Sequence, residues 1–268
     1  MMHLFIGSEG TLGVITKVWL RAHPLPEHRS HAAYSFDSLE DGISTVRDAV
    51  RHGATPAVLR LYDDIESARS HGATDSRCTL LVLDEGTPEI VGATFAVIQR
   101  FIKEHGGGDE SANLVEHWLD HRNDVSALAA LTQKGFVIDT MEVTSRWSST
   151  NRVVEAVKRA ALGVEGVRNA SVHLSHSYVD GACSYFTFAA KSDTPESTYV
   201  RLWDAAQNAA LEQGATLSHH HGVGMSRARF MQRALGESME VLREIKRTLD
   251  PHGIFNPGKL ALDAQVWP

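Results

Sequence analysis

The chain has 268 residues, 43% of them hydrophobic, which is enough for a sizeable core and one or two domains. Its 33 acidic residues outnumber 26 basic ones, and no Lys/Arg-dense block stands out, so we expect no nucleic-acid partner. Two cysteines are too few for a disulfide scaffold. No apolar run approaches the roughly 18 residues of a membrane span. We therefore expect a soluble, cytoplasmic protein without a transmembrane segment.

The pattern of the first residues is not typical of the start of a domain. Leu4–Ile6 predicts a short strand, Gly7–Gly13 predicts a glycine-rich turn, and the alternating pattern of Val14–Leu20 predicts a second strand. Two strands alone do not make a stable unit. Pro24 and Pro26 then indicate a linker.

From residue 31 onward, strand and helix patterns alternate along the chain. Strands are predicted over 31–37, 57–62, 79–83, 136–143, 170–175 and 183–189, and helices over 38–53, 87–106, 113–130, 149–162, 195–213 and within 226–249. This spacing predicts an α+β fold, ferredoxin-like, with an antiparallel sheet covered by helices.

Three consecutive histidines, His219, His220 and His221, form the most informative stretch. Imidazoles titrate near neutrality, so a cluster of them suits proton transfer, anion stabilisation or metal ligation. Gly222 and Gly224 would let a planar ligand approach the backbone closely. A polar strand end with solvated imidazoles, or an adventitious nickel-type site, explains the same composition equally well. Because a closed metal site usually needs four ligands, we expect no structural metal.

The stretch from Ser177 to Phe188 is the second candidate. In a strand, Phe186 and Phe188 share one face and Tyr185 the other, so one face would be core and the other pocket or solvent. A phenol in a pocket is an acid/base candidate, although an aromatic side chain at the core edge fits the pattern too.

Three residues elsewhere are further candidates for the same pocket, namely Glu142, Trp147 and Arg122. Each of them alone also fits a surface charge, a packed indole or an ordinary ion pair.

Three motifs occur in a familiar order: Gly7–Thr16, Ser218–Gly224 and Phe255–Lys259. In this order the chain resembles the vanillyl-alcohol-oxidase-type, FAD-linked oxidases. Among them it is similar to the C-terminal half of the alkyldihydroxyacetonephosphate synthases (alkylglycerone-phosphate synthases), over essentially its whole length. The resemblance implies that residues 1–28 are the end of an FAD-binding domain and that residues 29–268 form the cap, or substrate, domain.

The resemblance also implies a chemistry, in which FAD serves without net redox change. Flavin N5 forms an adduct with a dihydroxyacetone-phosphate-like substrate, the acyl chain leaves as a fatty acid, and a fatty alcohol replaces it. Tyr185 would be the acid/base phenol. His220 and His221 would activate and orient this phenol, and they would do the same for the leaving carboxylate. Arg122, with His219 and Tyr178, would bind a phosphorylated or lipid-like substrate. The implied cofactor-binding residues are Gly7, Ser8, Glu9, Gly10, Thr11, Gly13, Val14, Ile15 and Asn256.

Two alternatives remain open. One is an FAD-dependent D-2-hydroxyacid dehydrogenase or oxidase, which is disfavoured because Ser177, Ala182 and His220 stand where that subfamily has His, Asn and Glu. The other is a cap that acts as a binding or assembly module without catalysis.

We further expect that FAD binding depends on a polypeptide segment outside these 268 residues. The loop that holds the FAD pyrophosphate in such enzymes does not occur in these 268 residues. Tight FAD binding is therefore expected to need an N-terminal FAD-binding half. A homodimer is also expected, because flavoproteins of this kind often pair through the cap.

Overall fold

The computed structural model describes residues 1–72, 76–124 and 131–262. Backbone contacts divide the chain into two compact units. The larger unit comprises residues 24–215, and the smaller one combines residues 1–23 with 216–268. The boundary expected at residue 28 refers to the domains of a whole flavoenzyme, and it stays a prediction.

The strands and helices follow one another along the chain as strand–helix units. In chain order they are α1 (Met2–Phe5), β1 (His28–Phe36), α2 (Leu39–Arg51), β2 (Val58–Tyr62), α3 (Asp64–His71), β3 (Cys78–Gly86), α4 (Pro88–Glu104), β4 (Gly108–Glu110), α5 (Asn113–His121), β5 (Phe136–Arg146), α6 (Trp147–Leu162), β6 (Val167–Ser177), β7 (Gly181–Lys191), α7 (Pro195–Glu212), a 3-10 turn (Ala228–Phe230), α8 (Met231–Leu235) and α9 (Ser238–Leu249).

The larger unit is built on one antiparallel sheet with the strand order β4-β1-β3-β2-β6-β7-β5. Its first four strands, with α2 and α4, have the 4-1-3-2 order of a ferredoxin-like unit. The strands β5, β6 and β7, with α6 and α7, repeat the arrangement of the first three strands. The predicted α+β fold with an antiparallel sheet covered by helices is thus confirmed.

One face of this sheet is covered by helices and is apolar. Helices α2 and α4 pack on the first half of the sheet, and α6 and α7 pack on the second half. Phe36, Leu61 and Phe186 lie fully buried beneath them. Helix α2 starts where its sequence predicts, because the Ser38 hydroxyl accepts a hydrogen bond from the backbone N–H of Asp41 at 3.1 Å.

The opposite face of the sheet is divided between an apolar and a polar region. Helix α5 covers β1 and β3, with Val115 and Trp118 packing near Leu81 and Leu83. On β6, β7 and β5, the residues on this face are mainly polar. This polar region is where the candidate site lies.

Two predicted strands near the N-terminus are wrong. Residues Leu4–Ile6 belong to or follow α1, since the Ile6 N–H donates to the Met2 carbonyl at 3.1 Å in a helical bond. Periodicity does not separate helix from strand in so short an apolar run. Val14–Leu20 has no assigned helix or strand, because in the described ranges no neighbouring backbone pairs with it. Trp19 is 82% exposed there.

The helix predicted over 113–130 is shorter than expected. It ends at His121, and its predicted last residues, 125–130, lie outside the described ranges. Among the helices described, none is both long and apolar enough to cross a bilayer.

Candidate functional site

Tyr185 lies in the middle of β7, on the face of the sheet opposite α6 and α7. Its neighbours Phe186 and Phe188 are buried on the helical side, as the alternation predicts. The Tyr185 hydroxyl donates to the Thr140 hydroxyl oxygen of β5 at 3.2 Å. The phenol is therefore held by hydrogen bonding and is only partly buried.

A row of polar and aromatic side chains crosses four strands at the level of Tyr185. Its register partners are Glu142 on β5 and His173 on β6, and His173 in turn pairs with Tyr62 on β2. Residues paired across adjacent strands point to the same face, so the four side chains line up. The His173 and Tyr185 rings stack at 4.8 Å, with 19° between their planes. Glu142 is fully buried.

His173 is held between a carboxylate and a guanidinium. Its Nδ1 lies 2.9 Å from Glu66 Oε1, and its Nε2 lies 2.5 Å from an Arg60 nitrogen. A guanidinium only donates, so Nε2 accepts, and the neutral ring carries its proton on Nδ1, where it donates to Glu66. Burial lowers the pKa of His173, in agreement with a neutral ring. Burial alone would raise the pKa of Glu66, but its hydrogen bond with His173 and nearby charges lower it, so Glu66 is ionised.

Arg60 stands at the edge of a cavity of about 270 Å³ between β2, α3 and α5. The Arg60 guanidinium lies 5.2 Å from the Trp118 ring centre, and that of Arg122 lies 5.4 Å from it. The structure thus places Arg122, at the end of α5, together with a second arginine at one cavity. His117 and His121 also line it, one helical turn apart.

Tyr178 lies in the turn between β6 and β7 and is 43% exposed. Its backbone carbonyl accepts a hydrogen bond from the Trp147 indole at 3.0 Å, so Trp147 holds the turn in place. Burial raises the pKa of the Tyr178 phenol.

In the smaller unit, the glycine-rich turn borders a cavity of about 680 Å³. Eight of the nine predicted cofactor-binding residues line this cavity: Gly7, Ser8, Glu9, Gly10, Gly13, Val14, Ile15 and Asn256. The ninth, Thr11, is fully buried, and its hydroxyl donates to the Ser8 carbonyl at 2.6 Å, so it shapes the turn instead.

Glu9 joins this turn to the loop that follows the histidines. One of its carboxylate oxygens accepts hydrogen bonds from the backbone N–H groups of Val223 at 2.6 Å and Gly224 at 2.9 Å. A Cβ at Gly222 would lie 2.9 Å from the same oxygen, and its φ is +76°. Glycine is therefore required at that position.

A buried ammonium holds the turn from the other side. Lys246 of α9 donates to the carbonyls of Thr11 at 2.9 Å and Phe255 at 2.7 Å, and it pairs with Asp250. Burial opposes ionisation of Asp250, but Lys246 and the N–H groups of Ile254 and Phe255 outweigh it and hold its pKa at about 2.

The 680 Å³ cavity fits a flavin cofactor. Its volume falls within the roughly 300–1,000 Å³ of typical cofactor and ligand sites. Its walls include apolar side chains of Phe5, Ile6 and Ile254, which suit a planar ring. A Cβ at Gly7 or Gly13 would meet no atom within 4 Å, so open space lies directly against the bare backbone.

The three histidines lie in the loop before Gly222, in the smaller unit. The Nδ1 atoms of His219 and His220 are 2.9 Å apart, and the rings of His220 and His221 meet edge-on at 4.4 Å. Their implied role of activating and orienting Tyr185, and the expected absence of a structural metal, stay predictions.

The model of the family "FAD linked oxidases, C-terminal domain" matches residues 25–260. The chain belongs to this family. Among curated proteins, this FAD-linked oxidase domain is 26% identical to the uncharacterized FAD-linked oxidoreductase YgcU of Escherichia coli O157:H7, over 96% of the chain and 57% of that protein. It is also 26% identical to alkyldihydroxyacetonephosphate synthase of Trypanosoma brucei brucei, over 96% of the chain and 48% of the synthase.

A third relative and a solved structure extend the comparison. The mitochondrial D-lactate dehydrogenase [cytochrome] of Arabidopsis thaliana is 24% identical, over 97% of the chain and 47% of that protein. A solved alkyldihydroxyacetonephosphate synthase matches with a TM-score of 0.76 at 20% identity, over 96% of the chain and 49% of that structure, and so shares the fold. The chain spans about half the length of these relatives.

The site residues predicted from the sequence do not include Arg60, Glu66, His71 or His173. A signal was available in the alternation of Val58–Tyr62, which leaves a lone arginine on the polar side of an apolar strand. A histidine in the middle of apolar β6 is a similar signal.

Proposed function

We propose that the chain is the substrate-binding part of an FAD-dependent enzyme that resembles alkylglycerone-phosphate synthase. Such an enzyme exchanges the acyl chain of a dihydroxyacetone-phosphate-like substrate for an alkyl chain. The row that places Tyr185 beside His173, on the face of the sheet opposite α6 and α7, carries this proposal. The relationship to synthases of this name supports it.

The residues of the chain then have separate tasks. Tyr185 holds or moves a proton at its hydroxyl oxygen, and Thr140 fixes the direction of that hydroxyl. Arg122 binds the anionic head of the substrate. His220 and His221 keep the role that the resemblance implies, orientation of the leaving carboxylate.

The cofactor belongs to the smaller unit in this proposal. The glycine turn Gly7–Gly13 and Asn256 would hold FAD, with Glu9 fixing the turn. When bound, FAD supplies a nucleophilic ring nitrogen without net redox change. An N-terminal FAD-binding half, in the same or another polypeptide, and a homodimer remain part of the proposal.

One observation bears on the dehydrogenase alternative. Ser177 and Ala182, which stand where the resemblance expects His and Asn in that subfamily, are paired across β6 and β7. Neither side chain is a usual metal ligand. This pair favours the transfer reaction over metal-dependent oxidation of a hydroxyacid.

The test uses the protein purified with FAD under mild conditions, so that any partner polypeptide is retained. It is supplied with acyl-dihydroxyacetone phosphate and a radiolabelled fatty alcohol, and separately with D-lactate and an electron-accepting dye. We expect labelled ether product and released fatty acid, and no reduction of the dye. Dye reduction by D-lactate without ether product would contradict the proposal and establish the dehydrogenase.

Matched variants then separate the roles of individual residues. Tyr185→Phe keeps the ring and removes the hydroxyl, and we expect a loss of roughly 100-fold or more in turnover, the usual contribution of a general acid or base. Tyr199→Phe, on α7, is the control and should leave turnover unchanged. Full activity of Tyr185→Phe would exclude the acid/base role.

A further inference from the structure

Helix α5 carries two histidines on consecutive turns. His117 and His121 are four positions apart, the spacing at which side chains lie above one another on a helix. Their ring centres are 4.2 Å apart, with 31° between the ring planes. Both side chains are exposed to solvent. A metal ion bonds to an imidazole nitrogen at about 2.0–2.1 Å, so one ion can bind both rings.

The hydrogen bonding of His121 suits a metal ligand. Its Nδ1 lies 2.8 Å from the backbone carbonyl oxygen of His117. A carbonyl oxygen only accepts, so in the neutral ring Nδ1 carries the proton and the lone pair is on Nε2. Histidines that bind metals usually donate their other nitrogen to a carbonyl or a carboxylate, because this bond fixes the tautomer and the direction of the ring. His121 therefore presents Nε2 to a metal ion without a change of tautomer.

The charges around this pair act in both directions. Arg60 and Arg122 line the same cavity as the two histidines, and they repel a cation. The ionised Glu66 in the same lining attracts one. The last turn of α5, which contains His121, attracts it too, because the carbonyl groups there form the negative end of the helix dipole. Solvent screens the more distant charges, so the direct bonds to two nitrogens decide whether an ion binds.

We infer that His117 and His121 form a binding site for a divalent transition-metal ion of the Zn²⁺ type. Imidazole nitrogen suits Zn²⁺, Ni²⁺ and Cu²⁺, whereas Mg²⁺ and Ca²⁺ prefer oxygen ligands. Zn²⁺ in proteins is usually four-coordinate, so two protein ligands leave two positions to water or to a small molecule in the cavity. The site is thus open and exchangeable, unlike a closed structural site. It goes beyond the proposed function and does not rest on it.

Binding of Zn²⁺ is measured by isothermal titration calorimetry on the 268-residue chain, without an affinity tag and after treatment with a chelator. Because His219, His220 and His221 can bind the same ion, the measurement is repeated in a parent in which these three are glutamine. We expect one Zn²⁺ at the pair on α5. His117→Gln and His121→Gln should each weaken its binding roughly 100-fold, since the loss of either ligand removes the intramolecular second bond. Mg²⁺ should not bind at this pair.

The matched control is His52→Gln, at the end of α2. Its Nδ1 also lies 2.8 Å from the carbonyl oxygen of the residue four positions earlier, but that residue is Asp48, so no imidazole pair exists there. The control should bind Zn²⁺ as its parent does. Both rings of the α5 pair are exposed, so their variants are expected to fold, and thermal unfolding without metal checks this.

Three results would overturn the site. One is an unchanged Zn²⁺ affinity and stoichiometry in both His117→Gln and His121→Gln. Another is a loss of one bound ion in each variant at unchanged affinity, which would show that the two histidines bind separate ions. The third is binding of Mg²⁺ at the pair as tight as that of Zn²⁺. The assay requires neither FAD nor turnover, so its result is independent of whether the chain takes part in ether synthesis.

Discussion

Replacement of His71 by glutamine should flatten the dependence of stability on pH between about 4 and 6.5. The pKa of His71 is lowered from 6.5 to about 4 in the folded protein, mainly by burial. The charge of Glu66 acts against this shift, and the charges of His117 and Arg60 contribute to it. The unfolded chain therefore binds a proton at a pH where the folded protein does not. Titration of His71 therefore leaves the free energy of unfolding unchanged at neutral pH, and it destabilises the fold as the pH falls below 6.5.

The size of the effect follows from the two pKa values. A shift from 6.5 to about 4 corresponds at pH 5 to about 2 kcal/mol for a fully shielded ring. His71 is partly exposed, so we expect about 1–2 kcal/mol. The free energy of unfolding in urea is measured for the parent and for His71→Gln at pH 7 and pH 5. The parent should lose that much more stability than the variant on acidification. Equal losses in both proteins would refute a buried neutral His71.

Three further changes test packing and electrostatics elsewhere. Gly181→Ala places a Cβ 2.1 Å from the Ser145 carbonyl oxygen and should cost about 1–3 kcal/mol in thermal unfolding, whereas Gly92→Ala, on an open helix surface, should stabilise by up to about 1 kcal/mol. Phe186→Ala empties a fully buried position and should cost about 3–5 kcal/mol in urea unfolding. Asp250 has its pKa lowered to about 2, so it stabilises the fold above its unfolded pKa near 4 and loses this effect as the pH falls toward 2. Asp250→Asn should accordingly show a shallower acid transition by circular dichroism; an unchanged transition would contradict that role.

The sequence predicts best the elements whose cause is local. Helix α2 begins after the capping residue Ser38, and α4 begins at Pro88, because caps and proline act within one turn. The alternation in β7 likewise assigns Phe186 to the core and Tyr185 to the other face. These predictions depend only on residues that are close in sequence, and residues far along the chain do not affect them.

The wrong predictions concern segments whose secondary structure depends on pairing with another part of the backbone. Val14–Leu20 has the alternation of a strand, but a strand also needs a neighbouring backbone to pair with, and alternation carries no information about it. The repeated ferredoxin-like order of the sheet is also invisible, since it lies in strand order and not in residue identity.

The site residues were missed for a related reason. Arg60 and His173 are 113 positions apart, and Glu66 and His173 are 107 apart. Only the register of β2 against β6 brings them together. Motif analysis finds residues that are close in sequence, such as the histidines at 219–221, and it overlooks a site assembled from two halves of a sheet.

The junction of those two halves explains why the charged groups lie where they do. Strands β2 and β6 share only two register pairs, so the ladder there is short. Asp63, where the chain turns from β2 into α3, extends it: its N–H donates to the Val172 carbonyl at 2.9 Å, and its carboxylate accepts from the Val172 N–H at 3.0 Å. The same carboxylate pairs with Lys158 at 2.5 Å, and its other oxygen caps α3 at the N–H of Glu66. Because Glu66 positions His173, the contacts that join the halves of the sheet also set the geometry of the site.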